Sequence, residues 1–497
     1  MSMPHGLDRP YQRETYDKIM KSTAKWVIIE AGTGSGKTAW AAQAREDRLK
    51  TLALVRTKSL QDANYAGSYD FTVLKGKGNY RCADKSFAYA DECDHACWEY
   101  CPYKLAKQAF CASDKGSLNY TKFLLDWRVV EEFEPDIIFC DEAHQLSDLT
   151  LDYAGISLRW NRRLDEYADK IIIPDSVPQE AARAMGRMWL EQLRDSLEEN
   201  KPEKPRTKVN NEDRKRWKFH LELSLKVANV LDLMDLGEEL WFVHADDKRF
   251  LCKPLTARYH FQNLFSKARK VVLMSATIGK PNLFAQELGL NDYEFIKVPS
   301  VWPAFMRPVE NLKAPKLSYR NTEDERIEHA KVIANRINEC PDEWIGLIHT
   351  NSKVQTRELA DRLDLLTGRP IWCPESEGMS TEEALESWTR FYQRNDGALA
   401  ISWMFHESCD MADVNIVITA KVPFSDFSDV FESARFNFDK QSALARVANV
   451  IEQQQGRNRR GFASHYGALA PKLNCLADSN WTRVKNFLSK DFLDSVV

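Results

Sequence analysis

Nothing in the 497 residues resembles a membrane-spanning segment: no apolar run approaches the roughly 20 residues a helix needs to cross a bilayer. The opening stretch, MSMPHGLDRPYQRE, lacks the hydrophobic region of a signal peptide. The chain therefore reads as intracellular, with no membrane partner. A dominant charge of one sign is lacking too. Lys and Arg number 69 against 73 Asp and Glu, a net charge of −4, so any surface that holds a polyanion must be local. Internal repeats and low-complexity tails are absent. What is there is a globular composition, 43% hydrophobic and 29% charged, on a chain too long for one core, so three or four domains are expected.

Short apolar runs recur at Trp26–Ile29, Thr51–Val55, Ile137–Cys140 and Val271–Met274, then at Ile345–His349, Ala398–Ser402 and Ile416–Thr419. Unbroken runs of this length suit parallel strands buried on both faces. With helical patterns between them they predict two doubly wound α/β layers. The stretch from about Leu151 to Asp235 is mostly helical in pattern and separates Asp141 from the run at Val271. It reads as a helical insertion in the first layer. Its basic cluster Arg214, Lys215, Arg216 and Lys218 is either a phosphate contact or a solvated helix face.

Ala31-Gly32-Thr33-Gly34-Ser35-Gly36-Lys37-Thr38 follows the first run and precedes a helical stretch. Glycines at 32, 34 and 36 let the backbone wrap an anion with its N–H groups turned inward, and the next helix adds its positive end. Lys37 would reach the β- and γ-phosphates of ATP, and Thr38 would ligate Mg²⁺. Asp141-Glu142-Ala143-His144 closes the run Ile137–Cys140, where open α/β sheets carry their active groups. Asp141 would hold the Mg²⁺ and Glu142 would orient and deprotonate a water. Further on, Gln453-Gln454-Gln455-Gly456-Arg457-Asn458-Arg459-Arg460 ends a helical pattern striped by Leu444, Val447 and Ile451. If that helix continues, Gln453, Arg457 and Arg460 share one face. The two arginines would then stabilise charge on the γ-phosphate.

Four of the eleven cysteines are clumped: Cys82, Cys93, Cys97 and Cys101, spaced C-x10-C-x3-C-x3-C. Zinc sites favour C-x2-C pairs, absent here, whereas four thiolates are the usual ligands of an iron–sulfur cube. Zinc remains the alternative. Cys111 is a possible substitute ligand, but it lies beyond the motif and is left out.

These motifs together resemble the XPD/DinG-like helicases of superfamily 2. Asp-Glu-Ala-His after such a P-loop resembles their motif II. Ser275-Ala276-Thr277 resembles motif III, which couples the ATP site to the nucleic-acid track. Thr57 and Gln61 resemble the motif Ia region that grips the backbone, and Gln12 resembles the glutamine that reads adenine, though a structural glutamine explains it equally. The arginine segment resembles motif VI. Leu74–Cys82 and Cys101-Pro102-Tyr103 look like the flanks of the family's 4Fe–4S module. The chain departs from the family at Ala31, where the first glycine is usual, and at Ser408, which replaces a glycine before Asp410 of motif V. A third departure is His465, where an acidic residue is common.

The resemblance implies two RecA-like domains with an iron–sulfur module and a helical arch inserted in the first. The boundaries read as 1–75, 122–150 and 241–290 for the first RecA-like domain, 76–121 for the cluster, 151–240 for the arch, and 291–497 for the second RecA-like domain. It also implies a monomeric, ATP-driven 5′-to-3′ helicase acting on single-stranded and forked DNA, with Trp98, Tyr100 and Tyr103 available either to stack on bases or to pack around the cluster. A translocase that strips proteins from a strand would share every motif. A non-catalytic, ATP-gated binding module would need a damaged site, and Lys37, Asp141, Glu142, Arg457 and Arg460 are all present.

Overall fold

The computed structural model describes residues 7, 10–32, 35–83, 89–91, 100–126, 128–203, 211–236, 240–299, 308–318, 320–374, 379–405, 414–456 and 472–497. The chain opens with a helix, Pro10–Lys21, and then lays down β1 (Trp26–Glu30), β2 (Thr51–Val55), β3 (Thr72–Val73), β4 (Lys115–Asn119) and β5 (Ile137–Cys140). It leaves this layer for an insertion holding β6 (Ile156–Arg159), helices Gln179–Glu199 and Asn211–Asp235, and the hairpin β7 (Trp241–Ala245) and β8 (Arg249–Pro254). It then returns through β9 (Lys270–Ser275) and β10 (Tyr293–Lys297). The first sheet is parallel throughout, in the order β10-β1-β9-β5-β2-β4-β3.

The unbroken apolar runs are explained by two-sided burial. In β1, Trp26 and Ile28 face one hydrophobic layer while Val27 and Ile29 face the other; in β2, Leu52 and Leu54 alternate with Ala53 and Val55. Each such side chain, taken fully out of water, contributes about 1.5–3 kcal/mol. A second parallel sheet comprises β11 (Val309–Asn311), β12 (Gly346–His349), β13 (Ile371–Trp372), β14 (Leu399–Ser402), β15 (Ile416–Thr419) and β16 (Leu473–Leu476), ordered β11-β16-β15-β12-β14-β13. Ile348 and Leu347 again face opposite layers. Two of its helices, Glu323–Asn338 and Thr381–Tyr392, start in reciprocal capping boxes, Thr322 with Glu325 and Ser380 with Glu383. All seven apolar runs of the sequence are strands of these two sheets.

The insertion is less purely helical than its sequence pattern. β6, β8 and β7 form an antiparallel sheet. Trp241, Val243, Phe250 and Cys252 of the hairpin share one core with Leu190, Leu193, Val227 and Leu231 of the two long helices. The hairpin thus packs with the insertion, and a boundary at 240 cuts through that layer. Its strands are short and apolar like those of the main sheets, so the sequence pattern does not separate them. The basic cluster is ion-paired at the surface: Lys215 with Glu212, Arg216 with Glu166, and Lys218 with Asp91.

Candidate active site

The parallel register sets the carboxyl ends of β1, β9 and β5 side by side: Glu30 is level with Ser275, and Cys140 with Leu273. The P-loop, the Ser275 turn and the acidic box therefore leave the sheet together. In the P-loop, the Ser35 N–H donates to Gly32 O at 3.2 Å, and Gly36 takes φ +91° as the cap of helix Lys37–Glu46. A Cβ at Gly36 would lie 1.9 Å from Gln12 Nε2, so both the backbone turn and the packing require glycine here. Gln12 is buried; its Nε2 donates to Ser35 O at 2.9 Å, and Trp40 Nε1 donates to Gln12 O at 3.0 Å. The glutamine thus braces the loop from behind. Lys37 Nζ donates to Ala31 O at 3.2 Å. Thr38 begins the helix beside it, and Thr33 and Gly34 lie outside the described residues.

Asp141 is buried, and Glu142 N–H donates to its Oδ1 at 3.0 Å. Burial pushes its carboxyl up to about 6; the Lys37 ammonium opposes the shift and the Glu142 carboxylate adds to it. Such a group gains from a cation beside it, which suits a Mg²⁺ ligand. Glu142 itself adopts φ +53°, a left-handed backbone that costs a non-glycine residue about 1–3 kcal/mol and recurs at functional sites. His144 Nδ1 is 2.8 Å from Ser275 Oγ and 3.4 Å from Glu142 Oε2, joining the acidic box to the Ser275-Ala276-Thr277 turn. Tyr120 braces the same place, its hydroxyl donating to Asp141 O at 2.6 Å. No short motif marks Tyr120 in the sequence.

The second sheet meets this turn through helix Lys440–Gln455. Gln453 Nε2 donates to Thr277 Oγ1 at 3.0 Å, and Asn449 Nδ2 donates to Ile278 O at 3.3 Å. The helix is described to Gln455, capped by Gly456; Arg457, Arg460 and Asp410 lie outside the described residues. The Gln454 and Gln455 side chains turn back to Thr419 of β15.

The two residues read as strand-gripping differ in their surroundings. Thr57 is part-exposed, and its hydroxyl accepts from Leu60 N at 3.3 Å as a helix cap. Gln61 is fully buried, and its Nε2 donates to Ser117 O at 3.0 Å, inside the sheet. The segment Gln61–Ala66 is a π-helix, and its wider turn breaks the spacing by which a sequence pattern assigns faces.

Of the four clumped cysteines, Cys93 and Cys97 lie outside the described residues, as does Trp98. Near Cys82 and Cys101 in the chain, Tyr80 and Tyr103 meet edge to face at 5.6 Å. Cys101 is buried and stands at the N-terminus of helix Pro102–Ala112. Burial and the Glu132 carboxylate push the Cys111 thiol up, which makes it a poorer ligand. Tyr103 is a packing residue: it is buried, its hydroxyl donates to Asp126 Oδ2 at 3.2 Å, and it accepts from Lys122 Nζ at 2.7 Å. Tyr100 is 74% exposed.

Two parallel RecA-like lobes, a glycine-rich loop beside an acidic box, and a helix of the second lobe seated on the turn between them make up the site. No protein-family profile matches the chain. Over 236 residues it is 25% identical to the ATP-dependent DNA helicase YoaA of Escherichia coli (strain K12), an alignment spanning 33% of this chain and 37% of that protein. A solved XPD helicase covers 98% of this chain and 99% of its own, with a TM-score of 0.61 and 16% identity. S. tokodaii Xpd4 covers the same shares at a TM-score of 0.59 and 14% identity. The chain thus shares the fold of these solved XPD helicases along nearly its whole length.

Proposed function

We propose that this chain is an ATP-dependent DNA helicase that moves 5′-to-3′ on single-stranded DNA and separates the strands of a fork. The observation that carries the reading is the Gln453–Thr277 hydrogen bond, 3.0 Å across the lobe seam. It joins the helix leading to Arg457 and Arg460 to the turn that His144 ties to the acidic box. Hydrolysis would change what that turn touches, and a changed seam is relative motion of two lobes.

In this reading the P-loop backbone and Lys37 bind the phosphates. Asp141 and Thr38 would hold Mg²⁺, which when bound neutralises charge between the β- and γ-phosphates. Glu142 orients the attacking water and takes its proton, and Arg457 and Arg460 stabilise the charge that develops. Cys82, Cys93, Cys97 and Cys101 would hold a 4Fe–4S cluster that fixes a small module beside the first lobe. The similarity to YoaA, a protein named as a DNA helicase, supports DNA as the track.

The test pairs a forked DNA substrate carrying a 5′ single-stranded tail with one carrying a 3′ tail, in Mg-ATP. Strand separation on the 5′-tailed fork alone is expected. ATP turnover without strand separation on either fork would replace the helicase reading with that of a translocase.

A further inference from the structure

The last residue of β1 carries a charge on an otherwise apolar strand, and no role has been assigned to it above. Glu30 immediately precedes the P-loop and is only 8% exposed. Its Oε2 accepts two backbone N–H groups, from Ile278 at 3.0 Å and Gly279 at 3.1 Å. Its Oε1 pairs with Lys297 Nζ at 3.0 Å, and the same ammonium lies 3.0 Å from Asp491 Oδ2 of the second lobe. A buried carboxylate persists where donors surround it, and here they come from the turn just past Thr277.

The second lobe holds the same turn from the other side. Asn449 donates to Ile278 O, one peptide away from the N–H groups that Glu30 binds. Gly279 takes φ +69°, and a Cβ there would lie 2.3 Å from Asn449 Oδ1. Glycine lets the turn pass between the two side chains in a left-handed conformation.

We propose that Glu30 and Asn449 are paired positioning residues that hold the 277–279 turn from opposite lobes, so that a change at the P-loop is transmitted to the arginine helix through this turn. Glu30 lies in the chain directly against Ala31, whose N–H donates to Ser275 O at 2.8 Å. A shift of the P-loop backbone therefore moves both ends of the Ser275–Gly279 segment together. Asn449 and Gln453 stand on successive turns of one helix, so the segment presents one face to both. The proposal rests on the ATPase reading above for its kinetic consequence, but not for its geometry.

The experiment uses the full chain with Glu30→Gln and Asn449→Ala. Amide exchange across residues 276–283 is measured without nucleotide, together with binding of a non-hydrolysable ATP analogue and ATP turnover with and without single-stranded DNA. Glu30→Gln should speed exchange at Ile278 and Gly279 about tenfold, since a neutral amide oxygen binds the two N–H groups less strongly. Analogue affinity and KM for ATP should stay within about twofold, while DNA-stimulated kcat falls about tenfold in either variant. The double variant should be no slower than the worse single one, because both act on one turn. Unchanged exchange in Glu30→Gln, or a loss of analogue binding equal to the loss of kcat, would overturn the proposal. A wild-type chain with no ATP turnover would end the ATPase reading instead, and the exchange measurement alone would then decide whether Glu30 anchors the turn.

Discussion

Lys37 and Glu452 show how differently one charged side chain can matter. Lys37 spends its ammonium on the Ala31 carbonyl, and under the proposed function it reaches phosphate, so Lys37→Ala should leave the fold and DNA binding intact. ATP turnover should drop by about a hundredfold or more, in line with losing a main electrostatic contact on the transferred group. Equal turnover in variant and wild type would remove the P-loop role. Glu452 is the opposite case, a carboxyl on helix Lys440–Gln455 that accepts from Ser489 N–H and Oγ. Burial, with the Glu30 carboxylate nearby, pushes it from its ordinary 4.5 up to about 7; the Ser489 donors and Lys297 oppose the shift. Because folding raises this pKa, the folded chain binds more protons than the unfolded chain between about 4.5 and 7. The stability it contributes is complete below that window and is lost as pH rises through 7. Glu452→Gln should flatten the pH dependence of stability there and raise stability at pH 8 by on the order of 2 kcal/mol. Denaturant titrations of both proteins at pH 5 and pH 8 check this; parallel curves would mean that the carboxylate stays charged in the fold.

Elements were legible where one local rule decides them. The seven apolar runs are strands because burial on both faces leaves no polar position to disguise them, and the P-loop is visible because its turn demands glycine. Other features depend on partners far along the chain. Gln61 matches a strand-gripping motif in spacing, yet the π-helix turns it into the sheet against Ser117. The hairpin β7–β8 has the same local pattern as a main-sheet strand, and only its pairing with β6 assigns it to the insertion. Glu30 could have been noticed as a charge closing the run WVIIE, but its partners at Ile278 and Gly279 could not. The cysteine clump was legible as spacing alone. Cys101, at the start of helix Pro102–Ala112, is one of the proposed ligands. Cys101→Ser should therefore lose most of the bound iron when purified without oxygen, with the visible absorbance lost in parallel. Full iron content in that variant would remove Cys101 from the ligand set, and zinc in place of iron in the wild type would reassign the module.

At the scale of the whole molecule the question is what keeps two lobes in register while one seam between them works. Helix Val430–Phe438 follows β15 of the second lobe, yet Phe431 is buried in the core of the first, and Asp429 at its start pairs with Arg249 of the insertion at 3.0 Å. Arg435 on the same helix is buried between Asp148 at 2.7 Å and Glu287 at 3.1 Å, both of the first lobe, and Arg446 of the next helix also reaches Glu287. These contacts form a docking point separate from the Thr277 turn. Under the proposed function, a pivot of this kind would let the seam at Thr277 change without the lobes parting. Removing the guanidinium leaves the half-exposed Asp148 without this cation and Glu287 with Arg446 alone, so Arg435→Ala should cost about 2 kcal/mol. The loss should appear as uncoupling: the wild type is expected to melt in one thermal transition and the variant in two, with the second lobe melting at lower temperature. Arg435→Met, which refills the apolar part of the space, should recover little of this, because neither carboxylate regains the guanidinium. A single transition shifted by less than about 1 kcal/mol would show that the cluster is solvated and that the docking rests on Phe431 alone.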